Sequence, residues 1–140
     1  MTTVRVPYKQ IRGKVQPIIP IGMKLGETWK RFEAYVDSGA TYTLIQAQQI
    51  DPAFLDFRTG ERVAIQVGSG STIAVYLHQI QLQLGTELLT CPVGISDQLG
   101  IRLNVLGKAG IFDRFHVCFR QSQRSLLFEK IEVTGEDSSG

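Results

Sequence analysis

The stretch Phe32-Glu33-Ala34-Tyr35-Val36-Asp37-Ser38-Gly39-Ala40 places one carboxylate directly after an apolar run and inside a tight Ser-Gly turn. Residues 41–45, a Thr-rich segment that ends in Leu44 and Ile45, follow the turn. A buried carboxylate without a partner is costly, and such positions concentrate at sites of acid and base chemistry. In the alternative interpretation, Asp37 only caps an ordinary surface turn through its side chain. Because apolar residues flank the turn on both sides, we favour a functional Asp37.

The composition indicates one globular domain with neither a nucleic-acid nor a membrane role. The 140 residues are 43% apolar and 20% charged, and no apolar run reaches the roughly 18 residues that span a bilayer. The net charge of +2 arises from scattered residues of both signs, so nucleic acid is not an expected partner. We expect a single domain over residues 1–133 and a flexible polar tail over residues 134–140. Residues 1–9 lack the apolar core of a secretory signal, which predicts a cytoplasmic location.

The cysteines and histidines do not form a recognisable metal or disulfide pattern. Cys91 and Cys118 are too few and too far apart for a disulfide framework or a thiolate metal site. His78 and His116 have no carboxylate or thiol at metal-ligand spacing. We therefore expect neither a metal nor another cofactor.

Runs of alternating and β-branched residues predict an all-β, antiparallel architecture. The predicted strands cover residues 15–23, 29–36, 43–45, 62–67, 73–84, 88–95, 102–106, 116–119 and 126–133. The first of these contains two prolines, which favours an edge position. The four-residue spacing of Ile111 and Phe115 predicts a short helix over residues 108–115, and residues 46–50 have the composition of another helical turn.

Three features, in this order, resemble the retropepsin-like aspartic proteases. They are the Val36-Asp37-Ser38-Gly39-Ala40 turn, the Gly68-Ser69-Gly70 hairpin, and Asn104-Val105-Leu106-Gly107 before a short helix. The resemblance extends from residue 15 to residue 133, and residues 106–115 are particularly similar to small single-domain prokaryotic members. It implies an all-β acid-protease fold: a closed barrel with one short helix after the apolar-apolar-Gly strand.

The resemblance also implies a role for each matching residue. Asp37 would be the catalytic carboxylate, and Ser38 would bind backbone across a two-fold axis. Gly39 would bring its N–H close to the carboxylate, and the small Ala40 would leave room for a substrate backbone. Val105, Leu106 and Gly107 would form the strand behind the active-site turn, with Gly107 allowing the two backbones to approach closely. Gly68, Ser69, Gly70 and Ser71 would form the flap. Residues such as Val67, Ile73 and Leu103 would form the apolar walls of the substrate pockets.

The chain contains one Asp-Ser-Gly motif and therefore supplies one such carboxylate. In the family that it resembles, two carboxyl groups share a proton. The resemblance therefore implies an aspartic endopeptidase in which a homodimer pairs Asp37 with Asp37 of the partner subunit. The alternative is a retropepsin-fold binding or scaffold module with little or no proteolytic activity. Thr41 and Tyr42 stand where viral members tend to carry acidic residues, so substrate contacts are expected to differ from theirs.

Overall fold

The computed structural model describes residues 2–99 and 104–132. Within these residues the chain consists mainly of β-strands, which confirms the predicted all-β class. The strands are β1 Thr3–Pro7, β2 Lys9–Ile11, β3 Lys14–Gln16, β4 Ile18–Leu25, β5 Thr28–Val36, β6 Thr43–Gln46, β7 Glu61–Gln66, β8 Thr72–Leu84, β9 Glu87–Ser96, β10 Asn104–Leu106, β11 Phe115–Arg120 and β12 Ser125–Lys130. The predicted tail and the ends of two predicted strands, residues 102, 103 and 133, lie outside the described residues.

Seven strands form the main sheet, in the order β4-β5-β10-β6-β9-β8-β7. As expected, β4 stands at one end of this order, but its Gly22 and Met23 also pair with β8. The prediction of an antiparallel architecture is only partly correct, because β10 runs parallel to β5 and β6 runs parallel to β9. Parallel neighbouring strands come from segments that are distant along the chain, so no short turn between them indicates their pairing in the sequence.

The chain ends form a second sheet of three strands, β1-β12-β11. The predicted terminal hairpin corresponds to β11 and β12, whereas β1 was not predicted. In β1, Val4 lies opposite Phe128 and Val6 opposite Leu126, so two apolar residues fix its register. Such a short alternation is a weak signal before its partner strand is known.

The predicted helix over residues 108–115 is only partly correct. One irregular helical turn spans Lys108–Phe112, and the backbone of Ala109 (ψ 116°) and Gly110 (φ 99°) departs from helical geometry inside it. Phe115 begins β11 instead. The spacing of Ile111 and Phe115 was misleading because both side chains are buried but belong to different elements, the helical turn and β11. Helical structure near residues 46–50 is limited to the 3₁₀ turn Ala47–Gln49.

The main core combines buried residues of the main sheet with those of the second sheet, such as Leu126 and Phe128. Ile80, Leu82 and Leu84 alternate along β8 as predicted, and all three are buried. Asn104, at the start of β10, is a buried polar residue at 1% exposure. Its Nδ2 donates to the Glu33 carbonyl oxygen (3.0 Å) and to Gln49 Oε1 (2.9 Å). Its Oδ1 accepts from a backbone N–H of β6 at 2.9 Å, so one side chain joins β5, β6 and the turn after β6.

Replacing Asn104 should destabilise the protein strongly. Asn104→Ala removes three hydrogen bonds of a buried side chain, so we expect a loss of about 3 kcal/mol in the free energy of unfolding. Urea denaturation followed by circular dichroism measures this loss. Gln83→Ala is the matched control, since the exposed Gln83 makes a single bond to the Gly85 carbonyl oxygen and should cost much less. Equal losses for the two variants would contradict the role assigned to Asn104.

Candidate active site

The Asp-Ser-Gly loop, residues 37–42, leaves the end of β5 and presents the half-buried Asp37 side chain. The Asp37 N–H donates to the Leu106 carbonyl oxygen (3.0 Å), which fixes the start of the loop to β10. The Gly39 N–H donates to Asp37 Oδ1 (2.8 Å), and the Ala40 N–H donates to the Asp37 carbonyl oxygen (3.2 Å). The loop backbone therefore orients the carboxylate. Ser38 is exposed at the outside of the loop.

A second segment, the glycine turn (residues 107–110), supports the Asp-Ser-Gly loop from behind. The Lys108 N–H donates to the Ala40 carbonyl oxygen (2.8 Å), and the Ala109 N–H donates to the Thr41 carbonyl oxygen (3.0 Å). Consecutive amides of the turn thus bind consecutive carbonyl groups of the loop. Loop carbonyl groups that would otherwise need water are paired by this contact.

Gly107 is the point of closest approach between these two segments. A Cβ atom at this position would lie 2.7 Å from the Ala40 carbonyl oxygen and closer still to that of Tyr42. Both obstacles are backbone atoms, which cannot rotate away as a side chain can. Leu106, the preceding residue, is fully buried behind the loop. Any larger residue at position 107 would therefore push the glycine turn away from the loop.

Thr43, which we did not predict as a site residue, joins the glycine turn to β6. Its side chain is fully buried, and Oγ1 donates to the Ala109 carbonyl oxygen (3.1 Å) while accepting from the Gly107 N–H (3.2 Å). The sequence indicates only that Thr43 is a β-branched residue at the start of a strand. Its hydroxyl partners come from a segment more than 60 residues away, so no local pattern could have identified them.

The hairpin tip, residues 67–71, connects β7 to β8 and is built mostly from its own contacts. The Val67 N–H donates to the Ser71 carbonyl oxygen (2.9 Å), and the Gly70 N–H donates to the Val67 carbonyl oxygen (2.8 Å). Gln66 Nε2 donates to the Gly70 carbonyl oxygen (3.3 Å), and Ser69 Oγ donates to Ser71 Oγ (3.1 Å). The four predicted flap residues are all exposed.

A cleft of about 1030 Å³ separates the hairpin tip from the Asp-Ser-Gly loop. Asp37 is the one formally charged side chain among the described residues that line it. The predicted site residues that line this cleft are Asp37, Gly39, Ala40, Val67, Gly68, Ser69, Ser71, Ile73 and Val105. Its apolar base is a cluster separate from the main core, built on Leu44, Val75 and Val105. Seven further lining residues were not predicted as part of the site: Thr41, Tyr42, Leu44, Ile65, Gln66, Gln98 and Leu99.

The remaining predicted residues lie around the cleft or beyond it. Ser38 in the Asp-Ser-Gly loop and Gly70 in the hairpin tip are exposed. Leu106 and Gly107 are buried behind the loop. Leu103 lies outside the described residues. Within residues 2–99 and 104–132, no group of three or more His, Cys, Asp or Glu side chains could hold a metal ion. In the same part of the chain, no helix is long and apolar enough to cross a membrane.

The fold is similar to that of a solved protein. One match is to the crystal structure of a retropepsin-like aspartic protease from Rickettsia conorii, with a TM-score of 0.55 and 10% sequence identity. It covers 91% of this chain and 90% of that chain. No protein-family model and no curated protein sequence matches the chain. At this low identity the comparison shows the fold, and the chain has the all-β fold of a retropepsin-like protein.

Removing the Thr43 hydroxyl should loosen the support of the Asp-Ser-Gly loop. Thr43→Val keeps the shape but leaves the buried Gly107 N–H without its partner, so we expect a loss of about 1–2 kcal/mol in the free energy of unfolding. Thr41→Val is the control, since the Thr41 side chain is exposed. Urea denaturation of both variants measures the difference. A Thr43→Val protein as stable as the Thr41→Val protein would contradict this role.

The two cysteines should differ sharply in reactivity. Cys91 packs against Gly110, where an added Cβ would lie 2.5 Å from Sγ, and burial raises the pKa of this thiol from 9.0 to about 11. Cys118 is exposed. Ellman's reagent at about pH 8 should therefore titrate one thiol per native chain and two per unfolded chain, because only the thiolate reacts. Equal rates for both thiols in the native protein would contradict the burial of Cys91.

The same burial predicts a pH dependence of stability. The unfolded thiol ionises at a lower pH than the folded one, so the unfolded state loses its proton first as the pH rises. The stability that the protonated Cys91 contributes is complete below about pH 9 and is lost as the pH rises towards about 11. Urea denaturation of Cys91→Ala beside the unmodified protein isolates this contribution. An identical decline in both proteins would contradict it.

Proposed function

We propose that this protein is an aspartic endopeptidase that is active as a homodimer. The observation that carries the proposal is the placement of Asp37. It is the one charged side chain among the described residues of a large apolar cleft, and it lies across that cleft from a glycine-rich hairpin tip. The similarity to a protein described as a retropepsin-like aspartic protease supports the same reading.

The need for a second copy follows from the chemistry. One chain supplies one Asp-Ser-Gly loop, and a pair of carboxyl groups is required if one is to act as a base while the other acts as an acid. Related by a two-fold axis, Asp37 and Asp37 of the partner subunit would lie about 3 Å apart and share one proton, because two such close carboxyl groups cannot both ionise. The exposed Ser38 is available for contact with a second copy.

The proposed mechanism uses water as the nucleophile. The ionised carboxylate accepts a proton from a water molecule, whose oxygen attacks the carbonyl carbon of the scissile peptide bond. The protonated carboxyl donates its proton to the carbonyl oxygen, which gives a neutral tetrahedral diol. The carboxyl that took the proton from water now donates it to the amide nitrogen as the C–N bond breaks, while the other carboxylate accepts a proton from one diol hydroxyl. A carboxylic acid and an amine leave, and the pair again holds one proton. The Gly39 N–H holds Asp37 Oδ1 in place during these steps.

The hairpin tip would act as a flap over the bound peptide. A peptide enclosed between the tip and the loop is shielded from bulk water, which strengthens electrostatic interactions at the reacting carbonyl. The apolar lining from Ile65, Ile73, Leu44 and Val105 favours substrates with apolar side chains beside the scissile bond.

Asp37→Asn should abolish peptide cleavage without unfolding the protein. The amide cannot accept the proton from water, so we expect at least a 1000-fold loss of kcat/KM with little change in thermal stability. Mass spectrometry of a mixed peptide library, incubated from about pH 3 to pH 8 with and without pepstatin, measures cleavage. Asp51→Asn is the control, since the exposed Asp51 carboxylate accepts from the Ala53 N–H in a surface turn. Cleavage by Asp37→Asn would contradict the proposal. A wild-type protein that cleaves no peptide, although sedimentation shows that it is a dimer, would also contradict it. An inactive wild-type dimer would favour a binding or scaffold module.

Mixing the two proteins tests the shared site itself. When wild-type protein re-pairs at random with an equal amount of Asp37→Asn, about a quarter of the dimers keep both carboxylates, so activity falls to about half that of wild type alone. Adding the same amount of serum albumin should leave the activity unchanged. Full activity after complete subunit exchange would show that each chain acts alone.

A further inference from the structure

The base of the hairpin that carries the tip is held asymmetrically by the sheet. On one side, β8 pairs with β7 from Thr72 onward. On its other side, the pairing with β9 starts only at Tyr76, opposite Ile95. Residues 72–75 therefore extend beyond the end of the β8–β9 pairing, and Ile73 within them lines the cleft.

Two side chains continue the interrupted pairing at Ala74. Gln98 Oε1 accepts from the Ala74 N–H (2.7 Å), and Ser96 Oγ donates to the Ala74 carbonyl oxygen (2.6 Å). The Gln98 N–H donates to Ser96 Oγ (3.0 Å), which closes a ring of three hydrogen bonds. Ser96 is fully buried, whereas Gln98 lines the cleft. Both backbone groups of Ala74 are thus bound by side chains of the segment that ends β9.

We propose that Gln98 and Ser96 are positioning residues that anchor the hairpin at Ala74 and set how far its tip stands from Asp37. The inference rests on the proposed function, because it treats the hairpin as a flap. Side-chain hydrogen bonds suit a hinge, since they can break and re-form at one residue while the β8–β9 ladder below stays paired. Releasing Ala74 would let the strand that carries Ile73 move away from the cleft. Peptide binding should weaken more than the chemical step.

Amide exchange at Ala74 tests the anchor without any need for catalysis. Labelling with ¹⁵N-alanine gives seven resonances in the wild type, among them Ala74, its cross-strand neighbour Ala64, and Ala34 in the core strand β5, and each alanine variant adds an eighth. In Gln98→Ala we expect the Ala74 amide to exchange about fivefold faster, the effect of losing one typical hydrogen bond, with Ala34 unchanged. Ser96→Ala should act in the same direction. Gln98→Glu should restore slow exchange, because a carboxylate oxygen can still accept from the Ala74 N–H.

Gln66→Ala is the matched control for Gln98→Ala. Gln66 also lines the cleft, but its side chain binds Gly70 within the hairpin tip, so Ala74 should exchange at the wild-type rate in this variant. An Ala74 amide that exchanges equally in wild type, Gln98→Ala and Gln66→Ala would overturn the anchor. Exchange in Gln98→Glu as fast as in Gln98→Ala would also overturn it.

Steady-state kinetics of the same variants test the link to substrate. We expect KM for a cleaved peptide, and Kd for pepstatin, to rise about fivefold in Gln98→Ala while kcat changes little. Faster Ala74 exchange with unchanged KM and Kd would overturn the positioning role. An inactive wild-type protein that does not bind pepstatin would contradict the proposed function. The Ala74 exchange rates need no activity, so they test the anchor separately from the proposed function.

Discussion

The close approach of Gly107 to the Asp-Ser-Gly loop is the constraint on which the site depends. The Asp37 N–H binds Leu106, and the amides after Gly107 bind the carbonyl groups of Ala40 and Thr41. A side chain at position 107 would separate the two segments. Because β10 pairs with both β5 and β6, the strands that enter and leave the loop are joined through this one short strand. The position of the Asp37 carboxylate is therefore set by the sheet as well as by its own turn.

The two sides of the cleft are stabilised in different ways. On the Asp37 side, buried polar groups such as Thr43 and Asn104 bind backbone from distant segments, and these bonds are hard to break because no water replaces them. On the opposite side, the exposed hairpin tip relies on contacts within itself, with Ala74 bound near its base. Regions with few buried contacts open at low free-energy cost. The loop that carries Asp37 is thus held by more buried hydrogen bonds than the hairpin tip is, and under the proposed function this difference would let the tip open to admit a peptide.

Local patterns in the sequence were enough to predict most strands and the residues of the cleft that belong to motifs. Asp37, Gly107 and the tip glycines stand out because turns and close approaches require particular residue types at those positions. Thr43, Gln98 and strand β1 escaped prediction because their partners are remote in the chain, and a threonine or glutamine looks the same whether or not its side chain is bound. The parallel pairing of β6 with β9 is invisible for the same reason. The helix predicted over residues 108–115 is correct only for residues 108–112, because Ile111 and Phe115 are both buried but belong to different elements.

Whether two copies of Asp37 form one site is tested most directly by a crystal structure of the protein with pepstatin. The proposal predicts two chains related by a two-fold axis, with the carboxyl oxygens of Asp37 and of Asp37 of the partner subunit about 3 Å apart and the inhibitor hydroxyl bound between them. The hairpin tips should lie over the inhibitor. An inhibitor bound to a single chain, or a dimer in which the two carboxyl groups are far apart, would contradict the shared site.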